Sequence, residues 1–203
     1  MMSVLRAARV CAPSDWWVGG GVLRDLVWDR LYGDFDAARV KDVDLAFYDP
    51  LDLSHAREVE LERTLAARLP DVTWDAKNQA AVHLWYQRRF GVEVVPLLSA
   101  ADGVATWPET ATAVAVRLCA DDSLEVLAPC GLADLLGGVC RRNLAGSPWR
   151  NTSVVWSARE SRSGGQRSSL SLELPGVRCR VSQRRREHPR TPDRGPVSER
   201  WRQ

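Results

Sequence analysis

Apolar positions change their period several times along the first 140 residues, and each change marks an element. Residues 4–12 (VLRAARVCA) carry a short helical pattern. Ser14 and Asp15 supply a turn or cap before Trp16-Trp17-Val18, a brief apolar strand that runs into Gly19-Gly20-Gly21. Val22, Leu23, Leu26, Val27, Arg30 and Leu31 then recur at spacings of three and four, predicting a helix to about residue 32. Gly33, Asp34 and Asp36 read as a loop. Val43 to Tyr48 reads as a strand ended by Asp49-Pro50. Ser54 to Leu69 is the clearest helix, with Val59, Leu61, Leu65 and Leu69 on one face and Pro70 to stop it.

The second half is less regular. Val72–Trp74 and Ala81–Trp85 read as strand or mixed pieces around a polar centre, Lys77-Asn78-Gln79. Residues 91–98 include another apolar run. Val114–Leu118 predicts a strand, Asp121-Asp122-Ser123 a turn, and Leu124–Leu127 the returning arm of a hairpin. Leu132–Val139 predicts a short helix with a Gly-Gly ending. Loops as well as helices separate these strands, so the expected class is α/β (α+β), a small mixed sheet and not a doubly wound parallel one. The glycine-turn helix and the helix of residues 54–69 are expected on one side of it.

From about residue 145 Ser, Arg, Gly and Pro dominate and no apolar period is sustained. The expected division is a domain at 1–144 and a basic, disordered tail at 145–203. Two other readings stay open: an extension never selected to fold, or a phosphate-attracting arm. The formal net charge of +2 conceals this split between a slightly acidic body and a basic end. Five cysteines form no CxxC pair and leave an odd count, which indicates neither a disulfide scaffold nor a zinc knuckle. No stretch approaches the ~18 apolar residues of a membrane span, and the N-terminus lacks a signal-peptide core. The chain is expected to be cytoplasmic, with no membrane partner.

Strand, three glycines, then helix is an arrangement that can cradle a phosphate, because glycines let the backbone approach an anion and the first free N–H groups of the helix point at it. Neither GxGxxG nor a Walker pattern is present. Arg24, in the first turn of that helix, is a second cation for a phosphate. In KDVDLAFYD (residues 41–49), Asp42 and Asp44 alternate with Val43, so both carboxylates point to one face of the strand. Two such carboxylates repel, and a hard cation with phosphate oxygens in its shell resolves the repulsion. Alone, the pair reads as a solvated strand end. About twenty residues after a phosphate cradle, it reads as half of one substrate site.

The stretch VGGGVLRDLVWDRLYG...KDVDLAFYD resembles the signature of the nucleotidyltransferase superfamily, a GG[SG] turn, a helix, and a strand bearing Dx[DE]. It is similar to the GGxVRDxLLG...DxD head-domain pattern of CCA-adding enzymes and bacterial poly(A) polymerases. KNQAAVHLWY, WPETATAVAVRL and APCGLADLL resemble a narrower family of small bacterial nucleotidyltransferase-like proteins, over residues 16–140.

The resemblance implies transfer of a nucleoside monophosphate from an NTP to a hydroxyl acceptor, be it RNA, protein or a small molecule, with Mg²⁺ (or Mn²⁺) as cofactor. It implies that Asp42 and Asp44 hold the metals and that Gly19, Gly20 and Gly21 meet the β- and γ-phosphates. Arg24 supports the phosphates or braces Asp42, and Lys77 and Arg117 are further candidate cations. The third carboxylate that such a site needs is Glu93, framed by β-branched residues, or Asp75. His83 is expected to be a hydrogen-bonded core residue. A catalytically weak nucleotide-binding or regulatory module is the alternative. A CCA-adding enzyme ranks last, because only about sixty irregular residues follow the domain.

Overall fold

In the computed structural model, residues 1–33, 40, 42–144, 156–157 and 179–182 are described. Six strands form one sheet: β1 (Trp16–Gly19), β2 (Val43–Phe47), β3 (Trp74–Asn78), β4 (Ala115–Leu118), β5 (Leu124–Leu127) and β8 (Cys179–Ser182), in the order β3-β2-β1-β4-β5-β8. A separate two-stranded ladder joins β6 (Val139–Cys140) to β7 (Trp156–Ser157). The neighbours of β1 on both sides are antiparallel to it, whereas β2–β3 and β5–β8 are parallel. The sheet is therefore mixed, and the antiparallel β4–β5 pair is the expected hairpin. Apart from β7 and β8, the segment 145–203 lies outside the described residues, as do loop positions Asp34 and Asp36.

One face of the sheet carries most of the core. Trp16 and Val18 on β1, Val43, Leu45 and Phe47 on β2, and Trp74 and Ala76 on β3 all point to it, as strand alternation requires. Helix α1 (Met2–Cys11) contributes Val4, Leu5, Ala7 and Ala8, and α3 (His55–Arg68) contributes Leu61 and Leu65. Each buried leucine stabilises the fold by roughly 1.5–3 kcal/mol. Helix α2 (Gly21–Tyr32) buries only Val22 and Leu23 fully and lies against α6 (Ala133–Leu136), where Trp28 Nε1 donates to Leu135 O at 2.7 Å. Val22 and Leu23 of α2 nonetheless belong to the same core cluster as Leu61 and Leu65 of α3, so the glycine-turn helix and α3 share one side as expected, and α1 joins them there.

The opposite face is covered over Trp17 and Ala46 by α5 (Ala100–Ala105), a short helix with no advance signal in the pattern. Alanines at 46, 100 and 115 let it lie close, and Val104 and Leu127 complete the cluster.

Residues 72–85 fold differently from the expectation. The strand is Trp74–Asn78 itself, running through the polar centre, and Val82–Phe90 is a helix, α4, entered by a 3-10 turn at Gln79–Ala81. Trp74, Ala76 and Asn78 are buried and alternate with Asp75 and Lys77, a period of two hidden by the polarity of the last residues. Asn78 is fully buried and satisfied: its Oδ1 accepts from Asp49 and Ala80, and its Nδ2 donates to the carbonyls of Asp49 and Asp52. The strand edge is closed by α3. Glu62 accepts from the Ala76 N–H and Glu58 from the Asn78 N–H, each at 2.9 Å, which removes the donors a foreign strand would seek. Residues 92–97 form no regular element.

Candidate active site

The three glycines have three different reasons to be there. Gly19 pairs with Asp44 on one side and Ala115 on the other, and a Cβ there would overlap the Val114 carbonyl and the Ala115 side chain. Gly20 has φ of +74°, a conformation L side chains rarely adopt, and a Cβ on it would overlap the Asp44 carboxylate. Its N–H donates to Val114 O at 3.2 Å. Gly21 begins α2 in open space, with only the Arg24 guanidinium near the position of a Cβ, at 3.9 Å. The Asp44 carboxylate lies against this turn, at the start of α2. A carboxylate from β2 therefore occupies the place an N-cap side chain would take, at the positive end of the helix.

Asp44 does not stand alone. In the parallel β2–β3 register it lies directly beside Asp75, and Asp42 lies two residues before it, immediately ahead of β2. Their apolar neighbours Val43, Leu45, Trp74 and Ala76 all face the main core, so Asp44 and Asp75 share the opposite face. Burial, then the charges of Asp42 and Asp75, push the Asp44 carboxyl up to about 6, against the opposing pull of the Gly21 N–H and Lys77. Lys77 binds Asp75 Oδ1 at 2.5 Å and approaches Glu62 at 3.7 Å. Burial alone would lower the lysine's pKa, but the bond to Asp75 and the surrounding carboxylates outweigh it and raise it.

These carboxylates suit a divalent cation. They offer hard oxygens, their mutual repulsion is what a cation relieves, and the helix N-terminus beside them suits a phosphate. Among the described residues, no three acidic, His or Cys side chains are already drawn together into a metal cage. Asp75 is held back by Lys77.

The other candidates fall as follows. Arg24 does not brace Asp42. Its Nε donates to Asp25 at 2.8 Å, one Nη lies 3.6 Å from Glu109, and the guanidinium sits 5.5 Å from the Trp28 ring centroid, beside the glycine turn. Burial and Glu109 push Cys140, in the same cluster, up to about 12, so it is a neutral thiol. Arg117 stacks over Trp17 at 4.5 Å and holds Glu125 through two nitrogens across the β4–β5 hairpin, which uses its charge. Glu93 lies exposed after α4, accepting from Gln87 at 3.4 Å, and among the described residues no hydrogen bond or ion pair links it to Asp42 or Asp44. His83 is half-buried, and its buried Nδ1 lacks a hydrogen-bond partner among the described residues. Of the two candidates for a third carboxylate, Asp75 is the one the fold brings to the pair. Its signal was the alternation Trp74-Asp75-Ala76-Lys77, which puts an acid on the outward face of a strand.

The family model described as Nucleotidyltransferase matches residues 6–162, well over half of the chain. The chain belongs to this nucleotidyltransferase family. A solved structure described as "The NMR structure of the protein reveals a CCA-adding enzyme head domain" is similar to it with a TM-score of 0.59 and 29% sequence identity. The match covers 70% of this chain and 72% of that one. Among curated proteins none matches. Fold and family together make the chain a transferase of the nucleotidyl type. No helix among the described residues is long and apolar enough to cross a membrane.

Proposed function

We propose that the chain transfers a nucleoside monophosphate from an NTP to a hydroxyl acceptor, using Mg²⁺ or Mn²⁺ held by Asp42, Asp44 and Asp75. The observation that carries this reading is the parallel register that sets Asp75 beside Asp44, with Asp44 itself docked on the Gly20–Gly21 turn. The cation, when bound, supplies charge to the attacking and leaving oxygens of an in-line displacement. The chain's own groups do the rest. Asp42 and Asp44 bind as carboxylates from one face of β2, and Asp75 exchanges its bond to Lys77 for a place beside them. Lys77 keeps Glu62 within 3.7 Å. The start of α2 faces the triphosphate with its positive dipole end, and the Arg24 guanidinium flanks the turn as a further cation. Leaving pyrophosphate is stabilised by the same groups.

The Lys77–Asp75 pair favours a second reading, in which the lysine stays on Asp75 and the protein binds a nucleotide without turning it over. The two are separated by incubating the protein with each α-³²P NTP and Mg²⁺ or Mn²⁺, with and without RNA and protein extract. Label transferred to an acceptor, and lost in both Asp44→Asn and Asp75→Asn, supports transfer. Nucleotide binding with no transfer under any of these conditions supports the second reading.

A further inference from the structure

We propose that α4 is a docking surface for single-stranded nucleic acid. The helix is unusual in this fold because none of its nine residues is buried, although they include Val82, Leu84, Trp85, Tyr86 and Phe90. Its principal neighbour is the 3-10 turn that precedes it. An apolar helix normally covers its apolar stripe. Here the aromatic rings lie close together, with Tyr86 and Phe90 4.7 Å apart at centroids, Trp85 and Tyr86 5.7 Å, and Trp85 and Phe90 6.3 Å. Leu84 is half exposed and Trp85 partly exposed.

Charge identifies the occupant. Arg88 and Arg89 are exposed and, among the described residues, form no ion pair with a carboxylate. They lie three and four residues after Trp85, on its side of the helix, and the Arg89 guanidinium sits 5.4 Å from the Phe90 ring centroid. Every other arginine cited above for the candidate site has an acidic partner. Two unneutralised guanidinium groups beside partly exposed rings suit a ligand that alternates phosphates with flat bases: the phosphates meet the arginines and the bases stack on the rings. Nothing in the transfer reaction is required for this binding.

The test uses the full chain in EDTA without NTP, so that a failure of the transfer reading does not touch it. Fluorescence anisotropy with a labelled single strand of about twelve nucleotides, as RNA and as DNA, is expected to give a Kd of roughly 1–100 µM at near-physiological salt. Arg88→Glu/Arg89→Glu should weaken binding at least tenfold, and Arg88→Ala/Arg89→Ala should reduce the log–log salt slope by about 1.4. Trp85→Ala should weaken binding about tenfold. Arg88→Lys/Arg89→Lys should retain most of it, and circular dichroism should show all four variants folded. No binding by the wild type overturns the proposal. So does binding that survives Arg88→Glu/Arg89→Glu but is lost in Arg184→Glu/Arg185→Glu/Arg186→Glu. Sedimentation showing a wild-type dimer that Trp85→Ala dissociates also overturns it, by assigning the rings to a second copy.

Discussion

A carboxylate that the fold holds near neutrality is the most informative single group in this protein. Asp44 is raised from an ordinary 3.8 to about 6 by burial and by two neighbouring carboxylates. A raised folded-state value means that the folded chain binds this proton more tightly than the unfolded one. The group's favourable contribution is therefore complete below pH 4 and is lost as pH rises through about 6. In metal-free buffer, Asp44→Asn should be more stable than wild type at pH 7.5, by roughly 1–2 kcal/mol once solvent screening is allowed for. The difference should vanish by pH 4. Thermal melts of both proteins across that range check it, and an unchanged difference at low pH would contradict the cause given. Asp42 and Asp44 were legible in the sequence because alternation within one strand is a local property. Asp75 was only half legible, since its place beside Asp44 depends on the register between two strands, which no local pattern carries. Glu93 had the better local frame, β-branched residues on both sides, yet its segment is not a strand.

Among the elements, the glycine turn gives the sharpest contrast. Gly20→Ala forces a side chain into positive φ and into the Asp44 carboxylate, and should cost about 2 kcal/mol or more. Gly21→Ala, one residue on, meets open space at the start of a helix and should be neutral or stabilising by up to about 1 kcal/mol. Chemical denaturation of the two variants separates them, and equal effects would contradict the geometry. The edge of β3 offers a second comparison. Glu58→Ala leaves the buried Asn78 N–H without its acceptor and should cost about 1–3 kcal/mol, whereas Glu58→Gln, which keeps a carbonyl oxygen there, should cost less. The long helix α3 was readable from its period and its Pro70 stop. The strand β3 was not, because it is polar for two reasons that lie outside it: its outward face joins the candidate site, and Asn78 is satisfied by a distant loop. Helix α5 has only six residues, too few for a periodic signal.

Taken as a whole, the molecule places its apolar mass on one face of a mixed sheet and its chemistry on the other. Helices α1 and α3 cover the first face, α5 covers part of the second, and the Gly19–Asp44 end of that second face carries the acids. This division explains why a strand pair only two residues from the core can hold clustered negative charge. Fold class was legible from the mixture of helices and strands, and the family from phrases spread over residues 16–140. The acceptor was not, because no motif along the chain specifies it. The central claim is that Asp42, Asp44 and Asp75 form one metal site with the nucleotide, which Mn²⁺ binding in the presence of a non-hydrolysable NTP analogue, followed by electron paramagnetic resonance, tests directly. The account predicts binding by the wild type that weakens at least tenfold in both Asp44→Asn and Asp75→Asn and is unchanged in Glu93→Gln. Full-strength binding in Asp75→Asn, with loss in Glu93→Gln, would contradict it.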